Sequence, residues 1–340
     1  MVGLSRIYGC MQPYTKPFLP VDDQLTQLQA RGLVVTEPDR AKNYLRHIGY
    51  YRLSGYWYPL RQSEAVVDTS GNASTRVLDA FRPGSEFSHI IDLYVFDKKL
   101  RVMMVDVLER IEVSLRTNVT LQLGKIDPWA HRDPANFDTR FTTQQKERPP
   151  KTGLRPSQFD EFIRLTDEKT TRSKEDFVQH FGTKYSDPLP IWVAPEVWDF
   201  GNLSILINGM RYRDQRDLAA VYGVPRPEIF PSWVRTLAFI RNICAHHSRL
   251  WNRSLTAQPR PPKAGEVPLL DHLAGAAARH SIERFYSAVA LARYFQLQIN
   301  PTSAWGARFV ELTQSFPTNP NLDLATAGFP NDWQNLPLWT

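Results

Sequence analysis

SHIIDLYVFDKKLRVMMVDVLERIEVSLRTNVTLQLG, residues Ser88–Gly124, contains no proline and meets its first glycine only at its last position. Phe96, Leu100, Met103, Val107 and Ile111 recur at steps of three and four, the spacing that gathers side chains on one face of an α-helix. One helix of roughly 50 Å, at 1.5 Å per residue, is expected here. Asp106/Arg110 and Glu112/Arg116 each place an acid four residues before an arginine. Such pairs add a few tenths of a kcal/mol to an exposed helix, and both are expected on its outer face. A helix of this length sets the class for the chain around it.

Toward the N-terminus, Asp22 and Asp23 open a short helix with Leu25 and Leu28 inward and Gly32 as its stop. Thr36, Pro38 and Asp39 form a capping-box variant ahead of a second helix, with Ala41, Tyr44, Leu45 and Ile48 on one face. YYRLSGYWYPLR, Tyr50–Arg61, then packs five rings among two arginines. So many clustered rings read as the core of a small subdomain rather than a base-stacking surface, so alanine at Tyr51 or Trp57 is expected to lower stability. Residues 1–62 are thus an N-terminal helical and aromatic subdomain. Residues 63–87, with Ser, Thr, Asn, Gly and Pro but no period, read as an irregular connection.

Toward the C-terminus, Asp127–Pro156 reads as a long surface loop, followed by short helices from Ser157 and Ser173. Pro188–Met210 is too apolar to be exposed and suggests a buried helix interrupted near Gly201. Ser232 is expected to cap a helix over WVRTLAFIRNICAHHSRLWNR, Trp233–Arg253. Residues 88–258 form the expected helical bundle, with 232–253 as its functional helix. Residues 259–315 give a Pro-rich linker and helices returning to the bundle, including an alanine-rich one over Ser281–Gln298, and 316–340 an irregular tail. The fold class is all-α, with strands possible only near the N-terminal aromatic block.

Composition narrows the function. At 340 residues, 42% hydrophobic and 22% charged, the chain is an ordinary globular protein and not a disordered one. It has no run of about 18 apolar residues, and MVGLSRIYGC lacks a signal-peptide core, so a cytoplasmic protein without membrane contact is expected. Cys10 and Cys244 form no CxxC pair, which fits a reducing compartment and argues against structural zinc. The net charge of +6 is concentrated, since Gly201–Lys263 holds ten basic and three acidic residues. That is the footprint of a protein that meets phosphates.

On an ideal helix through Trp233–Arg253, Trp233, Leu237, Ile240, Cys244, His247 and Trp251 share the core face, while Asn242 and His246 point away from it. Arg241, Asn242 and His246 suit metal-free RNA cleavage. Histidine exchanges protons near neutral pH, an arginine fork stabilises the phosphorane oxygens, and Asn242 orients the ring or the substrate. Arg–His pairs with four to six residues between them also occur at Arg40/His47 and Arg82/His89, but only the pair at Arg241 lies mid-helix in the basic stretch beside an asparagine. Arg241 and His246 are about 140° apart on one helix, so two copies across a groove would be needed to bring both to one phosphate.

RNICAHHSRLWNR, Arg241–Arg253, resembles the RNxxAHHxRLWN signature of the Abi-like abortive-infection proteins of bacteria, within the HEPN superfamily. KPFLPVDDQLTQLQARGL (Lys16–Leu33) with HIGYYRLSGYWYPLR (His47–Arg61), LERIEVSLR (Leu108–Arg116) and PIWVAPEVWDFGNLS (Pro190–Ser204) are similar to that family in the same order. The resemblance implies a HEPN-like helical bundle working as a homodimer, with Arg241 and His246 of both protomers forming a metal-independent ribonuclease site. It also implies a growth-arresting toxin in anti-phage defence, held in check by an inhibitory protein or structured RNA, and needing no cofactor. Asn242 matches the polar position of the motif. His247, Arg249 and Asn252 match the signature, and Arg116 and Glu112 lie in a family stretch; these five are expected to touch substrate or support the catalytic groups. The alternative is a non-catalytic RNA-binding or RNA-sensing module on the same fold. A metal hydrolase built on Cys244, His246 and His247 is disfavoured, because adjacent histidines diverge by about 100° on a helix and no HExxH spacing accompanies them.

Overall fold

The computed structural model describes residues 14–67, 71–146 and 153–340. Cys10 lies outside them. The chain divides into two compact units, one ending at Tyr94 and the other running from Val95 to Thr340.

The first unit opens with α1 (Val21–Ala30), α2 (Pro38–His47) and α3 (Tyr50–Trp57). The α1 stop is as expected: Gly32 takes φ +91°, and the Leu33 N–H returns to the Leu28 carbonyl. The start of α2 differs, because Glu37 rather than Thr36 occupies the N-cap and no side chain caps it. Proline in its first turn needs no donor of its own. In the aromatic block Trp57 and Tyr56 are buried, with Trp57 edge-on to Tyr50 at 4.8 Å and Tyr56 edge-on to Tyr94 at 5.3 Å. Tyr51, by contrast, is 92% exposed and contributes nothing to this core. The expected irregular connection is a hairpin, β1 (Arg61–Val67) antiparallel to β2 (Ala73–Phe81), with a register irregularity between Arg61 and Ser63. Most of its side chains are solvated on both faces, so no apolar alternation marks it in the sequence.

The unit boundary falls within α4 (Phe87–Leu123), the long helix. In the second unit its buried face comprises Phe96, Leu100, Met104, Val107, Leu108, Ile111, Leu115 and Val119. The segment expected to be a loop holds the short α5 (Thr139–Thr142) and the two-residue strands β3 (Gln145–Lys146) and β4 (Leu154–Arg155). Next come α6 (Gln158–Arg172), with a full Ser157/Asp160 capping box, and α7 (Asp176–Lys184). The apolar stretch before Met210 forms α8 (Phe200–Gly209), which begins rather than breaks near Gly201 because the Asp199 side chain accepts the Asn202 N–H at 2.8 Å. After α9 (Tyr212–Val221), α10 (Phe230–Ala245) packs between α8 and α12 (Phe285–Ile299), which follows the short α11 (Arg279–Glu283). Phe285 to Gln296 are all buried, as expected of a helix surrounded by others. Finally α13 (Trp305–Gln314) and the tail close the core. The tail has only 3-10 turns, yet Phe329, Trp333 and Trp339 pack on Phe309. The second unit is a helical bundle. No helix among the described residues is long and apolar enough to cross a membrane.

Candidate active site

The first turn of α10 carries Pro231, and Trp233, Leu237, Ile240 and Cys244 are all buried, as the periodicity requires. Its ends differ from expectation. Ser232 lies inside the helix, donating to the Ile229 carbonyl at 2.6 Å and accepting the Arg260 N–H at 2.9 Å, while Ile229 holds the N-cap. The helix stops at Ala245, eight residues before the expected end at Arg253. His246 is the C-cap and His247 turns into the left-handed region at φ +56°. The His247 N–H bonds the Cys244 carbonyl and the Ser248 N–H the Ile243 carbonyl, each at 3.0 Å. This is a Schellman stop with histidine where glycine is usual. His247 is therefore exposed and not on the core face, and wheel positions no longer apply to Arg249, Trp251 and Asn252.

The segment after the stop is fixed from α4. Asp97 is fully buried, and its carboxylate accepts the Leu250 N–H at 3.1 Å and the Trp251 N–H at 2.7 Å while pairing with Arg101, which donates to the Ser248 carbonyl at 3.4 Å. Asp97 and Arg101 escaped the sequence reading. Their signal was an acid–arginine pair at i, i+4 on the same face as the buried Met104, Leu108 and Leu115. Arg249 and Asn252 are half-buried on this segment, and the Asn252 Oδ1 is a buried oxygen without a hydrogen-bond partner among the described residues.

Arg241 lies in the last turn of α10, its side chain 35% exposed, with Nε 3.4 Å from the Glu112 carboxylate. Glu112 and Arg116 therefore face α10 and not the outer surface, whereas Asp106 and Arg110 are partly solvated as expected. Arg116 donates to Glu112 at 2.6 Å and to the Trp198 carbonyl at 2.7 Å, and its guanidinium is 3.8 Å from Glu196. Burial pushes the Glu112 carboxyl up, against the pull of Arg116 and Arg241. Nearby, burial also works to raise Asp199, but the Lys169 ammonium, the Asn202 N–H and the charge of Arg241 outweigh it and hold it below the usual carboxylate range. Three sequence-distant stretches, Leu108–Arg116, Pro190–Ser204 and Arg241–Arg253, meet at this network. Glu196, Asp199 and Lys169 were not singled out from the sequence, although the first two lie in a quoted motif.

Asn242 and His246 are exposed, and among the described residues their side chains make no hydrogen bond or ion pair. The C-terminal end of α10 thus presents a buttressed guanidinium, a free amide and a free imidazole to solvent, the groups a phosphodiester transfer requires. Cys244 does not join them. It is buried, and burial with the Asp97 charge pushes its thiol up to about 12, so the three-residue metal set Cys244, His246 and His247 is not assembled. Among the described residues no three His, Cys, Asp or Glu side chains cluster as metal ligands.

No curated protein and no solved structure matches the chain. The family model described as Abi-like protein matches residues 43–252, which take in two of the converging stretches whole, the third up to Asn252, and more than half of the sequence. The chain belongs to the Abi-like protein family.

Proposed function

We propose that this protein is a metal-independent endoribonuclease of the HEPN type that arrests growth during abortive infection. Family membership supports the abortive-infection role. The observation that carries the nuclease reading is the exposed end of α10, where Arg241 is held by buried Glu112 while Asn242 and His246 stay open to solvent. One His246 takes the proton from the ribose 2′-hydroxyl, whose oxygen attacks the adjacent phosphorus. Arg241 stabilises the charge that develops on the phosphorane oxygens. The bond to the 5′-oxygen breaks, and that oxygen takes a proton from the second imidazole, leaving a 2′,3′-cyclic phosphate and a 5′-hydroxyl. One helix separates Arg241 and His246 around its axis, so two protomers supply the complete set. Asn242 orients the ring or the substrate, and an inhibitory protein or structured RNA restrains the active dimer.

Incubating wild-type and His246→Ala protein with total RNA in EDTA and mapping the 3′ ends tests this. Cleavage by wild type alone, with cyclic phosphate ends, is the expected result. Wild-type protein freed of copurifying partners that retains RNA without cutting it would replace the reading with that of a binding module. Activity lost in EDTA would refute the metal-independent mechanism.

A further inference from the structure

The basic stretch supplies more cation than the end of α10 uses. Arg235 lies about two turns before Asn242 and eleven residues before His246, on the same face of α10, about 16 Å from His246 along the axis. Its side chain is exposed and, among the described residues, makes no ion pair or hydrogen bond. It borders a cleft of about 370 Å³ that is also lined by Arg140, Arg260, Tyr212, Asn208 and Gln158. Asp138 holds Arg140 through bonds of 3.0 and 3.2 Å, and Arg260 donates to the Glu228 carbonyl at 3.2 Å. The cleft's three arginines against Asp138 and Glu228 leave a net charge of +1; only Arg140 is paired with a carboxylate, and among the described residues neither Arg235 nor Arg260 is in an ion pair. Tyr212 is 56% exposed, and the amides of Asn208 and Gln158 offer both donors and acceptors. A cation for a phosphate, a ring for a base and amides for base edges make up a nucleotide subsite on a single strand.

Resting on the ribonuclease reading above, we infer that this cleft holds a flanking nucleotide of the same single-stranded RNA whose scissile phosphate lies at the C-terminal end of α10. Arg235 and Arg260 meet its phosphate, and Tyr212 stacks on its base. Substrate choice is then set partly at a distance from the cleaved bond, and strands too short to span α10 lose this contribution.

The test measures binding in the His246→Ala background, so that RNA stays intact, using a long single strand, a dinucleotide and a mononucleotide. Adding Arg235→Ala or Tyr212→Ala is expected to weaken the long strand about fivefold or more, while Tyr212→Phe, which keeps the ring, leaves it unchanged. Dinucleotide binding stays as it was, and Arg235→Ala makes the log–log salt dependence shallower by about 0.7. All of these side chains are exposed, so the fold is not at risk. Equal losses on long strand and dinucleotide, or no loss on either, overturn the inference. So does a mononucleotide that binds as tightly as the long strand and is lost in the same variants, since the cleft is then a free-nucleotide site. RNA binding that ignores Arg235 and Tyr212 sinks the cleft alone, whereas a protein that binds no RNA of any length sinks the ribonuclease reading with it.

Discussion

Replacing Asp97 with alanine tests the account of how the end of α10 is built. The substitution removes the acceptor of two buried N–H groups, those of Leu250 and Trp251, and takes a carboxylate from beside Arg101, whose side chain is 7% exposed. Hydrogen bonds to a charged group contribute about 1.5–3 kcal/mol each, and breaking a buried ion pair from one side costs about 3–5 kcal/mol because the other charge is left uncompensated. The two figures describe overlapping losses, so about 4 kcal/mol is expected, read as a fall in the urea midpoint of about 1–2 M. Asp97→Asn keeps an oxygen for the two N–H groups but drops the charge, and should fall between wild type and Asp97→Ala. Asp97→Leu combined with Arg101→Met removes the buried cation along with the carboxylate and should recover about half of the loss. An Asp97→Ala protein within about 1 kcal/mol of wild type, or a double variant no more stable than the single one, would refute the reasoning.

Other expectations follow from residues already placed. At position 247 the left-handed backbone should make His247→Gly about 1–2 kcal/mol more stable than His247→Val by thermal melting; both lose the ring, so the difference isolates the backbone. Trp57→Ala should cost about 3–5 kcal/mol while Tyr51→Ala stays within about 0.5 kcal/mol, and equal melting shifts would contradict the burial described for them. His131 is 2% exposed against Trp198, and burial, with the Arg132 charge, pushes its imidazole down to about 4. The unfolded chain then takes up a proton near 6.5 that the folded chain refuses until about 4, so stability is full above that window and falls as the pH drops through it, by up to about 1.4 kcal/mol per unit. His131→Leu should flatten this limb in part, because half-buried His272, also pushed down to about 4, contributes with the same sign; an unchanged slope would show that His131 titrates normally.

What the sequence disclosed depended on whether an apolar period was present. The long α4 and the first three turns of α10 were legible because their buried side chains repeat at three and four. The hairpin of β1 and β2 was not, because solvent covers most of both faces and Ser, Thr and Asn there look the same in a loop. Ser157 revealed its helix start through a capping box, whereas Asp199 did the same work unnoticed inside an apolar stretch that drew attention to Gly201. The end of α10 was hidden for a different reason. Neither glycine nor proline marks it, and what fixes the chain beyond it is a carboxylate far upstream on α4. Glu112 and Arg116 were visible as a pair, but spacing does not say which way a charged pair faces, and only the position of Arg241 reveals that they turn inward.

If the protein is the growth-arresting nuclease proposed above, the same long-range ties bear on when in its synthesis it becomes active. Asp97 reaches Leu250 and Trp251 across 153 and 154 residues, and the Trp305 indole donates to the Met103 carbonyl across 202. The buried Arg293 is held in turn by the Leu338 carbonyl. Contacts this distant in sequence form late, and α12, which packs on α10, follows it in the chain, so a chain still emerging from the ribosome has Arg241, His246 and His247 before that side of the bundle is complete. Interrupted translation products should accordingly be harmless, and an inhibitor would meet its target only as a finished molecule. On that reading a restraint could act after synthesis and need not keep pace with it.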